Sequence, residues 1–124
     1  MVIGNPYKFS IMVDVVDEWN MDNTFNNGLL FMGIDGRLFL SKITNTALNA
    51  ELFQLIKNLK RSKKNEEIFK MEKEQAFVYI YNLTYPTDWN TDNDYTYTIT
   101  PYEFEDNNSF VFMVSNGERI RKNY

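Results

Sequence analysis

The side chains with chemical potential in this sequence are carboxylates and aromatics, and they gather in three places. Asp14, Asp17, Glu18 and Asp22 surround Trp19; Asp88, Asp92 and Asp94 surround Trp89; Glu103, Glu105 and Asp106 lie beside Tyr102 and Phe104. Carboxylate pairs can serve as acid and base in glycoside hydrolysis, but only at a defined separation, and nothing in these short stretches specifies one. With 17 acids in 124 residues, such pairs arise by chance. The first cluster lacks the glycine bend and ligand ladder of a calcium loop. Histidine and cysteine are both absent. Their absence removes the commonest general base, the thiolate nucleophile, disulfides and every metal site built on sulfur. No catalytic residue, cofactor or metal is expected, and an enzyme would have to work through carboxylates or tyrosines alone.

Acids interleaved with aromatics suit a different task. An aromatic anchor ringed by negative charge fits a basic protein surface. The expected contact residues are therefore Asp17, Glu18, Trp19, Asp22, Trp89, Asp92 and Asp94. In the plainer reading, the two tryptophans fill a core or its rim and the acids solvate loops.

The charge distribution bears on that choice. The formal net charge is −4, divided as −4 over residues 1–36, +5 over 37–73 and −5 over 74–124. Two acidic segments flank a basic middle, which disfavours nucleic acid as the main ligand and favours a basic partner. The basic run Lys57, Lys60, Arg61, Lys63 and Lys64 falls where a helix would end, and positive charge is favourable there without any ligand. The five glycines are scattered singly, so no phosphate-binding loop is present.

These residues need a scaffold. The length suits one domain spanning 1–124, and 44% apolar residues supply its core. The opening residues lack the basic start and apolar run of a secretory signal, so a cytoplasmic location is expected. No stretch approaches the roughly 20 apolar residues that cross a bilayer.

Alternation from Tyr7 to Val16 predicts a strand with Phe9, Ile11, Val13 and Val15 on one face. Residues 28–34 and 37–40 form a second and third strand about Asp35-Gly36, a type I′ hairpin signal. Thr44-Asn45-Thr46 offers caps for a helix from about Ala47, with Leu48, Leu52, Leu55, Ile56 and Leu59 at helical spacing. Ile68 to Met71 has strand composition. Residues 72–85 fit helix or strand; the helix is favoured, with acids at its start and Pro86 at its end. Strands are expected at 95–100, at 102–104 and at 110–114, and Asn116-Gly117 turns the last into a returning strand over 119–122. The fold class is α+β, an antiparallel sheet of about five or six strands with two helices packed on one face.

The stretches Ile3-Gly4-Asn5-Pro6-Tyr7-Lys8-Phe9, Glu18-Trp19-Asn20, Asn27-Gly28-Leu29, Ile34-Asp35-Gly36 and Tyr81-Asn82-Leu83-Thr84-Tyr85-Pro86 resemble immunity protein family 42 of bacterial polymorphic toxin and contact-dependent growth inhibition systems. The similarity runs through most of the chain in one order. It implies a cytoplasmic antidote that binds the C-terminal domain of a cognate toxin and blocks it without any reaction. It supplies no contact residues, because the matching words are turns, caps and core positions. The competing class is a regulatory or scaffold module with no toxin partner.

Overall fold

Asp35 and Gly36 both adopt positive φ, 52° and 78°, as a two-residue type I′ turn requires. They join β3 (Asn27–Ile34) to β4 (Arg37–Phe39), with Ile34 opposite Arg37. The structure is a computed structural model that describes residues 2–15, 27–39, 46–61, 63–106 and 108–124. It divides into two compact units, the first formed by residues 1–56 and 101–109, the second by 57–100 and 110–124.

In the first unit, β1 (Val2–Asn5), β2 (Phe9–Val15), β3 and β4 lie in that order in one antiparallel sheet, and β5 (Thr46–Ala47) adds to β3. The β2–β3 register pairs Phe9 with Ile34, Ile11 with Met32 and Val13 with Leu30. The expected apolar face of β2 is therefore continuous with Leu30, Met32 and Ile34, all buried. Gly28 is held by close approach: a Cβ there would lie 2.1 Å from the Asp14 carbonyl oxygen and 2.7 Å from Leu48 Cδ1. Helix α1 (Leu48–Lys60) follows, belonging to this unit as far as Ile56, with Glu51 early and Lys57 and Lys60 late, and it buries Leu48 and Leu55. Its buried Glu51 accepts the Tyr102 backbone N–H at 3.0 Å. That bond satisfies a free donor at the start of the short helix α4 (Tyr102–Asp106).

The second unit packs α2 (Glu66–Lys70) and α3 (Lys73–Thr84) with the hairpin β6 (Phe112–Ser115) and β7 (Ile120–Asn123). Its core joins Ile68, Ala76, Ile80, Tyr97, Phe112 and Val114. The helix favoured over 72–85 is α3, and the Asn116-Gly117 turn is present with Gly117 at φ 97°. Arg121 ties the hairpin to α2, donating to the Met71 carbonyl at 2.6 Å and the Ile68 carbonyl at 2.8 Å.

The α+β class holds, with the strands divided between two sheets and two short helices beyond the pair expected. Three expected strands take other forms. Residues 68–70 belong to α2 and Met71 is its C-cap, because Asn65 Oδ1 accepts the Ile68 N–H at 3.0 Å and the acids Glu66 and Glu67 follow the cap. Tyr102 and Phe104 belong to α4, where the Pro101 carbonyl accepts from the N–H groups of Phe104 and Glu105. Among the described residues, the ladder pairing of 95–100 with β6 is limited to the isolated bridge Thr98–Phe112. Side chains there occupy groups a ladder would use: Thr98 Oγ1 accepts the Thr100 N–H, and Thr100 Oγ1 both donates to the Val111 carbonyl and accepts its N–H. Strand β1 and the short β5 were not expected from the pattern.

Candidate interaction surface

Tyr85 ends α3, its N–H donating to the Tyr81 carbonyl at 2.8 Å, and Pro86 has no N–H with which to continue. The chain then turns on Asp88, whose Oδ1 accepts the Asn90 N–H at 2.9 Å and whose carbonyl accepts the Thr91 N–H at 3.0 Å. This is an Asx turn, a local closure that a short acidic side chain makes with the backbone two residues on. Trp89 is next to that acid and is 93% exposed. An indole so exposed contributes nothing to a core, and the packing alternative fails for this tryptophan.

The loop is fixed where it returns. Asn93 Nδ2 donates to the Thr84 carbonyl at 2.8 Å and the Asp94 N–H to the Leu83 carbonyl at 2.9 Å, satisfying two acceptors at the end of α3. Asp94 is half-buried and its Oδ1 accepts from both the N–H and the hydroxyl of Thr96, at 3.0 and 2.5 Å. Its carboxylate therefore anchors the loop, whereas Asp92 is exposed. Asp17, Glu18, Trp19 and Asp22 lie outside the described residues; Trp89, Asp92 and Asp94 share the loop that follows α3.

The basic run has an internal use. Lys63 is 3% exposed; its Nζ donates to the Thr96 carbonyl at 2.7 Å and reaches the Thr98 carbonyl at 3.5 Å. Arg61 donates to the Tyr95 carbonyl at 2.5 Å. Burial, with the neighbouring Arg61 charge, pulls the Lys63 ammonium down to about 8 from the usual lysine range. A lysine so depressed can be a nucleophile where substrate reaches it. This one faces backbone carbonyls in a closed site, and its role is to hold the 95–98 segment. Among the described residues no group of three or more acidic side chains is placed to hold a metal ion, and no helix is long and apolar enough to cross a membrane.

Helix α3 presents a feature the sequence pattern obscured. Glu74, Gln75, Val78, Tyr79 and Asn82 line a shallow concavity of about 470 Å³ on it. Val78 and Tyr79 are 56% and 47% exposed. The available signal was that Val78 falls off the helical face shared by Phe77, Ile80 and Tyr81.

A family model described as Immunity protein 42 matches residues 1–121. Among solved structures, the chain is similar to CdiI from Burkholderia dolosa, with a TM-score of 0.88 and 26% identity over 98% of this chain and 79% of that one. No curated protein matches.

Proposed function

The chain belongs to the immunity protein 42 family, and from that premise we propose that it neutralises a cognate toxin by binding the toxin's C-terminal domain in the cytoplasm and covering a basic, nuclease-like working surface. The match over residues 1–121 carries the immunity role, and the likeness to CdiI agrees with it. Family membership also suggests an inhibitor that acts without catalysis. The exposed Trp89 between Asp88 and Asp92 supports the mode of binding, because it offers an aromatic anchor with acids on both sides. Asp17, Glu18, Trp19 and Asp22 are further contact candidates on the grounds of residue type and charge alone, and Asp94 supports the Trp89 loop by fixing its return.

Occlusion needs no reaction. Complementary charge speeds encounter, and desolvated contacts slow release. The test is co-expression and co-purification with the C-terminal domain of the toxin encoded beside this gene. Rescue of growth together with a stable complex is the expected result; a toxin that still kills when the protein is abundant and folded would end the proposal. Reversal of Asp17, Glu18, Asp22 and Asp92 to lysine should then weaken the complex. Unchanged affinity and salt dependence in that variant would remove the acidic face while leaving the immunity role.

A further inference from the structure

Helix α3 buries Ala76, Ile80 and Thr84 on one side. At 100° per residue, Glu74, Gln75, Val78, Tyr79 and Asn82 fall on the opposite side, as one stripe. Two apolar side chains adjacent in sequence and both exposed thus sit at the middle of a polar-rimmed concavity. Isolated exposed apolar residues are ordinary, whereas a rimmed apolar hollow marks a contact site.

Charge says what fits it. From Glu74 to Glu118 the sequence has eight acids and no lysine or arginine. The stripe carries Glu74, and the segment that leaves its far end carries Asp88 and Asp92, both exposed. The nearest preceding cation, Lys73, is turned to the Tyr124 ring, with Nζ 3.3 Å from its centroid. A docked surface therefore meets acid at the rim and no competing positive charge on the stripe.

Resting on the immunity reading, we propose that the outward stripe of α3, centred on Val78 and Tyr79, is the apolar centre of the toxin-binding face, and that it takes a basic patch presenting an aliphatic or aromatic side chain. Trp89 and Asp92 extend this face beyond the C-terminal end of the helix. Central apolar contact with a charged rim is the arrangement in which truncation at the centre costs most.

The probe is the C-terminal toxin domain encoded beside this gene, titrated against the full chain. Val78→Ser with Tyr79→Ser should raise Kd about tenfold or more. Gln75→Lys with Asn82→Lys keeps the apolar centre and good helix formers but adds positive charge, and it should slow association with a basic partner. Val2→Ser with Ile3→Ser, on exposed strand β1, should leave Kd unchanged. Circular dichroism establishes that each variant folds. Tight wild-type binding with both α3 variants unaffected overturns this inference and leaves the immunity reading standing. No wild-type binding overturns both. A wild-type dimer that the Val78/Tyr79 variant dissolves assigns the stripe to a second copy of this chain and overturns the inference as well.

Discussion

Lys63 carries a charge into a closed site where its ammonium donates to the neutral carbonyls of Thr96 and Thr98. Its pKa falls to about 8 in the fold and is near 10.5 when the chain is unfolded. Between those values the unfolded chain binds the extra proton, so stability rises with pH across that window and is flat with respect to this group below it. The full rise is on the order of 3 kcal/mol. Urea denaturation from pH 7 to 10 should show the rise in the native protein and lose it in Lys63→Met; parallel curves would mean the ammonium is solvated. Asn123 poses the opposite case. It is 0% exposed, sits opposite Phe112 in the β6–β7 register, and among the described residues finds no hydrogen-bond partner for either end of its amide. An unsatisfied buried amide costs about 1–3 kcal/mol. Asn123→Leu, close to it in shape, is expected to raise the unfolding free energy by about 1–2 kcal/mol, read as a higher urea midpoint at unchanged slope.

The elements divide according to which physical effect fixes them. The β3–β4 hairpin, α1 and α3 were legible because a local signal and the hydrophobic period agree. Asp35-Gly36 accepts positive φ, the leucines of α1 recur at helical spacing, and Pro86 stops α3. Helix α2 is hidden in the pattern because Ile68 to Met71 has strand composition, while the Asn65 cap before it decides the conformation. Asn65 spans two structures: Oδ1 takes the Ile68 N–H, while Nδ2 donates to Tyr97 Oη at 3.0 Å. Asn65→Ala is expected to cost about 1–2 kcal/mol, more than an exposed cap, because both bonds go. Thermal unfolding checks this, and Asn65→Asp should recover the cap bond alone. Residues 95–100 depart from their strand composition for a tertiary reason. Thr-rich alternation has strand composition, but Lys63 and Arg61, more than thirty residues away in sequence, take its carbonyls. Strand β1 owes its place to pairing with β2, from Val2 opposite Met12 to Asn5 opposite Phe9, which no period in four residues foretells. The proposed contact residues differ in how far the sequence exposes them. Trp89 stood out by type and neighbours, but the exposure of Val78 and Tyr79 follows from which side of α3 meets the core.

For the whole molecule, the charge budget bears on rate more than on fold. The chain is −4 overall, yet its base-free stretch from Glu74 to Glu118 holds eight acids. Concentrated charge of one sign steers an oppositely charged partner and raises the encounter rate, while leaving dissociation to the desolvated centre. The two effects separate in a salt series. Screening shortens from about 30 Å at 0.01 M to about 8 Å at 0.15 M ionic strength. Over that range the association rate constant with a basic toxin domain is expected to fall about tenfold or more, with dissociation nearly constant. Neutralising Glu74 and Asp92 as Gln and Asn should flatten the association slope without changing dissociation much, whereas Val78→Ser with Tyr79→Ser should speed dissociation and leave the slope intact. Stopped-flow mixing at four salt concentrations measures both constants. An association rate indifferent to salt would mean that these acids only solvate the surface, and the partner would then have to be recognised by apolar and hydrogen-bonded contact alone.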